Sequence, residues 1–208
     1  MSNRSKPVQA HPDPSKDYRD FPVYTHRQGL RLYRTYQEKY DPWYFSSVDG
    51  RFNLRDPYGT LNLARSPEIA AREYLGVLLV GNSFIPATAF TGRLVAELEV
   101  DAVRAADFTS SAAVRFGVVP GEISAPAPDY SITRSWAENM HKANFEGIWS
   151  RSRFAGGVNP YCLYVFGPSG QHYHGSTMSK QTLRSVVKSM PGYTIDSIPS
   201  STDLVVED

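Results

Sequence analysis

The chain has 208 residues, which is enough for one domain with a full hydrophobic core and short for two. Apolar residues make up 41% and charged residues 21%, and a formal net charge of +1 gives no excess of positive charge for binding nucleic acid directly. The longest apolar run, Leu75 to Val80, is too short to span a membrane, and the single cysteine cannot form an internal disulfide, which favours a reducing, cytoplasmic setting.

Proline, serine and charged residues dominate the start of the chain, so little there could be buried. We therefore predict a flexible N-terminal segment over residues 1–22, which has no apolar core and is unlike a secretory signal. Residues 23–198 are predicted to form one domain. A polar, acidic tail follows over residues 199–208, in which Leu204-Val205-Val206 could add a short edge strand.

Three strands and a helix are predicted in the first half of the domain. Apolar and polar residues alternate over residues 30–36 and 94–100, as in half-buried strands, and residues 60–64 form a shorter candidate. Ser66 and Pro67 are favoured as an N-cap and a first helical residue, so a helix is predicted from there to Gly76.

The second half of the domain also mixes helices and strands. Ser110 or Ser111 could cap a short helix over residues 112–116, and apolar residues spaced four apart predict a longer helix that Ser131 caps. The other predicted elements are strands over residues 147–153 and 161–166 and a helix over residues 181–190. Several strand pairs have no helix between them, which predicts an α+β fold: a mixed or antiparallel sheet core with flanking helices.

Three polar residues lie on faces whose other residues are apolar. Arg34 shares a strand face with two leucines, Glu73 lies in the apolar stripe of its helix, and Ser152 lies on the inward face of a predicted strand. A charge in such a place must be paired or must line a cleft, because burying an unpaired charge is costly. The pattern alone leaves two alternatives open, an internal Arg34–Glu73 ion pair and a functional cleft.

Three blocks of sequence follow one another between about residues 30 and 170. They are Leu32-Tyr33-Arg34 with Asp49-Gly50-Arg51-Phe52-Asn53; Gly59-Thr60-Leu61-Asn62-Leu63-Ala64 with the helix from Ser66-Pro67-Glu68 to Glu73; and Trp136-Ala137 with Asn144-Phe145-Glu146-Gly147-Ile148 and Ser152-Arg153, before a closing Val165-Phe166-Gly167. The ordered set resembles the RES-domain family, named for an arginine, a glutamate and a serine. Residues 23–198 would then be a RES-like catalytic domain.

The resemblance implies a fold like that of the ADP-ribosyltransferases and the NAD⁺-degrading toxins of bacterial toxin–antitoxin pairs. The bond between nicotinamide and ribose would be cleaved through an oxocarbenium-like transition state, which the carboxylate of Glu73 would stabilise. Arg34 would bind the pyrophosphate with its forked guanidinium. Ser152 would donate a hydrogen bond to the substrate or hold Glu73 in place.

Further substrate-binding roles are expected around these three residues. Arg51 is a possible helper at the pyrophosphate, and Arg51 and Arg153 are candidates for an anion pocket that inorganic phosphate, as a co-substrate, would need. An aromatic ring, that of Tyr36 or Phe52, would stack on a ring of the substrate. Asn62 stands where the family usually has a tyrosine, and we expect it to tune substrate binding or rate.

The acceptor and the partners stay open at the level of sequence. With water as the acceptor the chain would be a glycohydrolase, and with phosphate it would be a phosphorylase. A protein acceptor would make it an ADP-ribosyltransferase. If the site has lost its activity, the chain would be an interaction protein that only binds a partner. The resemblance also implies a helix-turn-helix antitoxin and a homodimer. NAD⁺ enters as substrate, so no cofactor is expected. No metal site is expected either, because His172 and His174 lack a partner segment with ligand spacing.

Overall fold

The computed structural model describes residues 9–124 and 130–196. Its strands are β1 (Val23–Thr25), β2 (Leu30–Gln37), β3 (Tyr44–Phe45), β4 (Tyr58–Ala64), β5 (Phe84–Pro86), β6 (Arg93–Val100), β7 (Arg104–Asp107), β8 (Gly147–Arg151), β9 (Tyr161–Pro168), β10 (Gly170–Gln171), β11 (Gly175–Thr182) and β12 (Thr194–Asp196). Its α-helices are α1 (Pro67–Leu75), α2 (Pro120–Ile123), α3 (Ser131–Lys142) and α4 (Leu183–Lys188), and 3₁₀ turns cover Gly76–Leu79, Ala87–Phe90 and Ser111–Phe116.

Eight strands form one mixed sheet in the order β1-β7-β8-β9-β4-β2-β6-β11. Within it β7 and β8 run parallel, and the other neighbouring strands pair antiparallel. The two remaining strand pairs are short: β3 with β10, and β5 with β12. The predicted α+β class, with a mixed sheet core and flanking helices, is confirmed.

Each face of the sheet packs against its own hydrophobic cluster. Leu61 and Leu63 of β4 lie in one cluster, with leucines of β2, β6 and β9. Ala64 lies in the other, where the helices α1, α3 and α4 pack. Successive side chains of a strand point to opposite faces, so the alternation over residues 60–64 determines which residues meet the helices.

The sheet is split between its central strands β2 and β4. These two pair only at Tyr33 and Ala64. Beyond that point the rest of β2 stays paired with β6, while β4 stays paired with β9. The two facing edges therefore diverge and open a cleft within the sheet.

Most of the predicted elements are present, with shifted ends. Ser66 caps α1, since its hydroxyl accepts from the Ile69 N–H at 3.2 Å, and α1 ends before Gly76. Ser131 is not the cap of α3: Tyr130, at a left-handed φ of 52°, is the N-cap. The last predicted helix begins at Leu183 instead of residue 181, because residues 181–182 belong to β11.

The expectation that little of residues 1–22 could be buried is wrong for residues 9–22. Tyr18 and Phe21 are buried, at 3% and 1% exposure. The Tyr18 ring meets Trp136 edge-on, with ring centroids 5.6 Å apart, and Phe21 packs on Phe108 at 5.2 Å. Two aromatic rings thus anchor a segment whose composition otherwise resembles a linker.

Residues 1–8 and the predicted tail, including its candidate strand 204–206, lie outside the described residues. Across the two described ranges, no helix combines the length and the apolar character needed to cross a membrane.

Candidate functional site

A cleft of about 630 Å³ lies where β2 and β4 diverge, a volume typical of small-molecule sites. Its walls come from β2, the loop between β3 and β4, α1, β9 and the segment after β8. Among the lining residues are Arg34, Tyr36, Asp41, Arg51, Asn62, Glu73, Tyr130, Arg153, Cys162 and Tyr164.

Glu73 reaches the cleft from α1, and the chain after β8 fixes its carboxylate. One oxygen, Oε1, accepts from the Ser152 hydroxyl, from the Arg153 N–H at 2.6 Å and from the Phe154 N–H at 3.2 Å. The hydroxyl of Ser152 also accepts from the Ala155 N–H at 3.0 Å, which ties the turn together. Ser152 is buried, and its contact with Glu73 is the one that the second of its two predicted roles requires.

Arg51 lies on the cleft floor, with its side chain only 6% exposed. Its Nη2 donates to the Tyr164 hydroxyl and, at 2.9 Å, to the Arg151 carbonyl, and it lies 3.8 Å from Oε2 of Glu73. Burial works against the charge, but Tyr164 and Glu73 outweigh it and raise the pKa of Arg51. Arg51 is thus placed to act on Glu73, whereas the sequence predicted that it binds an anion.

Arg34 lies farther along the cleft and does not pair with Glu73. Its Nη1 donates to the Pro42 carbonyl at 2.7 Å. Burial lowers the pKa of Arg34 to about 10, opposed by the negative charge of Asp41, so the guanidinium is still charged at neutral pH. Among the described residues Arg34 has no ion pair, and the acid partners with Arg51 instead. The internal Arg34–Glu73 pair is therefore excluded in favour of the cleft.

Arg153 stands at the rim of the cleft beside Glu73. Its Nη1 donates to the Tyr130 hydroxyl at 3.0 Å, and its guanidinium lies over the Phe154 ring at 4.6 Å. The backbone N–H of the same residue holds Glu73. The main chain of Arg153 therefore orients the acid, while its side chain contacts Tyr130 and Phe154.

Phe52 does not reach the cleft, so its predicted stacking role is wrong. The ring is fully buried and packs edge-on against Tyr164 at 5.0 Å. The chain turns tightly here, with the Asn53 N–H bonded to the Gly50 carbonyl at 3.1 Å and Phe52 at a φ of 61°. That turn directs both Arg51 and Phe52 inward, which the sequence alone could not indicate.

Asn62 and Tyr36 both line the cleft, although Tyr36 is only 6% exposed. The amide of Asn62 donates to Asn53 Oδ1 at 3.3 Å, and its side chain remains exposed. In the register of β4 and β9 it lies directly opposite Tyr164.

Sequence reasoning missed Tyr164, Tyr130 and Asp41, and it assigned Cys162 to the core only. Cys162 and Tyr164 sit two apart on β9, so both side chains reach the cleft floor, where burial raises the pKa of each. The two-residue spacing of Cys162 and Tyr164 could have indicated that they share a face of the strand. A strand that is covered on both faces has an almost uniformly apolar sequence, however, so nothing marked these two residues as polar groups at a site.

Comparison with known proteins identifies a family and a solved structure of similar fold. The family model of the RES domain matches residues 31–184. A chain of the crystal structure of the M. tuberculosis MbcT–MbcA toxin–antitoxin complex has a similar fold, with a TM-score of 0.60 at 14% sequence identity over 83% of this chain and 92% of that chain. No curated protein sequence matches this one.

Proposed function

This chain belongs to the RES-domain family, and on that premise we propose that it cleaves NAD⁺ between nicotinamide and ribose and acts as the toxin of a toxin–antitoxin pair. The observation that carries the proposal is the state of Glu73. Three donors hold Oε1, while Oε2 accepts no hydrogen bond from the described residues. A fixed carboxylate with one free oxygen suits a reaction in which positive charge develops on the substrate.

The proposed reaction needs little from the protein besides placement and charge. The bond between C1 of the ribose and the nicotinamide nitrogen breaks, and its electron pair leaves with nicotinamide as a neutral base, so no general acid is needed. The oxocarbenium-like ribose then takes an acceptor on C1. Oε2 of Glu73 stabilises the positive charge or orients the ribose hydroxyls.

Arg34 is proposed to bind the pyrophosphate. Its guanidinium is charged, partly buried and, among the described residues, hydrogen-bonded to one neutral carbonyl, that of Pro42. A partly buried cation without an ion pair among the described side chains gains from an anionic ligand. A planar fork can also bind two phosphate oxygens at once. Tyr36 lines the cleft nearby but is only 6% exposed, which leaves too little of its ring for stacking on a substrate, so this role is not proposed for it.

The acceptor is proposed to be water or inorganic phosphate. Water would yield ADP-ribose and a proton, and phosphate would yield ADP-ribose 1-phosphate. Arg153, at the rim of the cleft, is the candidate ligand for phosphate. Arg51 is not proposed as a phosphate ligand, because it is buried against Tyr164 and Glu73.

One experiment tests the activity and separates the alternatives. Pure protein is incubated with NAD⁺ labelled in the adenine, with and without phosphate, and the products are resolved by mass spectrometry. Free nicotinamide with ADP-ribose or its phosphate supports cleavage. Label on the protein would support an ADP-ribosyltransferase. Intact NAD⁺ in both incubations would support an inactive protein that only binds a partner.

The solved structure of similar fold is a toxin–antitoxin complex, which supports an antitoxin partner for this chain. We propose a helix-turn-helix antitoxin encoded beside it, and a homodimeric toxin. Co-expression with the neighbouring reading frame should restore growth that the toxin arrests, and light scattering should report the mass of a dimer. If no neighbouring reading frame restored growth, the proposed toxin–antitoxin pairing would be refuted.

A further inference from the structure

We propose that the Tyr164 hydroxyl is a positioning group that keeps Oε2 of Glu73 available to the substrate by holding the Arg51 guanidinium away from it. The inference rests on the proposed function, because it assigns a task to the same carboxylate. It concerns a residue whose hydroxyl bonds to Arg51 and which is only 3% exposed.

The two oxygens of Glu73 are in very different surroundings. Oε1 takes all three donors, the Ser152 hydroxyl and the N–H groups of Arg153 and Phe154. Oε2 accepts no hydrogen bond from the described residues, and Nη2 of Arg51 lies 3.8 Å from it. That distance allows an ionic attraction but is too long for a hydrogen bond. The reactive oxygen is therefore Oε2, and it would be lost to the substrate if Arg51 moved closer.

Arg51 stays back because its nearest donor is already used. Nη2 carries two hydrogens, and two acceptors take them, the Tyr164 hydroxyl and the Arg151 carbonyl. The other nitrogens, Nε and Nη1, are buried and have no hydrogen-bond partner in the described part of the chain. The guanidinium lies over the rings of Phe52 and Tyr164, at 5.4 and 5.2 Å from their centroids. A buried cation with this many unused donors would bind any acceptor that came within reach.

Tyr164 is itself held rigidly in place. It lies on β9 in the middle of the sheet, opposite Asn62, and is 3% exposed. Its ring packs edge-on against Phe52 at 5.0 Å. The hydroxyl is therefore a fixed acceptor that a mobile substrate could not displace, and the ring offers the cleft almost no surface to bind.

The groups facing Glu73 come from three elements besides its own helix. Arg51 approaches from the loop between β3 and β4, Cys162 and Tyr164 from β9, and the Arg153 main chain from the segment after β8. Burial keeps the thiol and the phenol neutral by raising the pKa of each. Arg51 is thus the charged group whose distance to Glu73 the hydroxyl controls.

The test is Tyr164→Phe, which keeps the ring and removes only the oxygen. We expect Arg51 to swing onto Oε2, so kcat for NAD⁺ cleavage falls by about tenfold while KM changes by less than about twofold.

Tyr161→Phe is the matched control: the same change on the same strand, at a residue that does not line the cleft, and it should leave kcat and KM unchanged. In an Arg51→Gln background, Tyr164→Phe should have no further effect, because the hydroxyl acts only through Arg51. Wild-type kcat in Tyr164→Phe, or an equal loss in both backgrounds, would overturn the proposal.

A crystal structure of Tyr164→Phe separates this proposal from the proposed function. Nη2 of Arg51 should lie within about 3 Å of Oε2. An unchanged separation would refute the positioning role, whatever the activity. A closed contact in a protein whose wild type releases no nicotinamide would instead refute NAD⁺ cleavage and leave the geometric role standing.

Discussion

Replacing Glu73 by glutamine tests the centre of the mechanism, and the surroundings of the carboxylate dictate how the amide must sit. Three donors point at the Oε1 position, so the amide oxygen must take that place. The NH₂ group then takes the Oε2 position and faces Arg51 Nη2, donor against donor. Glu73→Gln thus keeps the anchor and removes the charge and the acceptor that the substrate would use.

Two magnitudes decide how the result is interpreted. A unit charge 3.8 Å from Arg51 interacts by about 4 kcal/mol at an effective dielectric constant of about 20. The carboxylate is 24% exposed, so much of that attraction is offset by solvation that the charge regains on unfolding. We expect the free energy of unfolding to fall by at most about 2 kcal/mol, whereas loss of a group that stabilises transition-state charge costs about 10²- to 10³-fold in kcat.

The assay is nicotinamide release under steady state, with urea unfolding measured on the same samples. Glu68→Gln is the matched control, because Glu68 lies on the same helix in an exposed pair with Arg72. It should keep wild-type turnover. A well-folded Glu73→Gln protein that turns over NAD⁺ at the wild-type rate would remove Glu73 from the mechanism. If Glu73→Gln lost its folded structure together with its activity, the role of Glu73 would be structural.

Four further outcomes follow from the same geometry. Ser152→Ala should lower kcat about tenfold with KM unchanged, since two backbone donors still hold Glu73; an unaltered kcat would show that the hydroxyl is dispensable. Arg34→Ala should raise KM for NAD⁺, and Arg34→Lys should not restore it, because lysine lacks the planar fork; rescue by lysine would argue against phosphate binding. Asn62→Tyr should tighten NAD⁺ binding by up to about tenfold, because the exposed amide leaves room for a stacking ring; unchanged kinetics would place Asn62 outside the site. Burial raises the pKa of the Cys162 thiol, so N-ethylmaleimide should label it in native protein far more slowly than in urea, and equal rates of labelling, read by mass, would contradict that burial.

Local periodicity was sufficient to predict strands over residues 30–36, 60–64 and 94–100, which the structure extends to 30–37, 58–64 and 93–100, because one face of each meets the core and the other is more polar. It failed for β11, whose residues are exposed on both faces and so show no alternation. That strand forms because its backbone pairs with β6, a contact between segments far apart in the sequence.

The candidate site divides in a similar way. Glu73 and Arg34 could be selected from the sequence, since a charged residue on an otherwise apolar face must be paired or line a cleft. The sequence could not indicate which charged residue pairs with Glu73. Arg51 replaces Arg34 as the cation beside the acid, because the turn at Gly50–Asn53 directs Arg51 inward. Tyr164 lies in an apolar strand and gave no signal, although its hydroxyl meets that same arginine.

The sequence by itself determined the fold class and the family resemblance, and it singled out Arg34, Glu73 and Ser152 as candidates, because these depend on residue type and on spacing along single elements. Only the tertiary structure decided that β2 and β4 separate into a cleft, and that Oε1 of Glu73 is anchored while Oε2 is left free. The physical reason is range: capping and periodicity act over a few residues, whereas Glu73 and Ser152 are 79 positions apart and meet only when the sheet has formed.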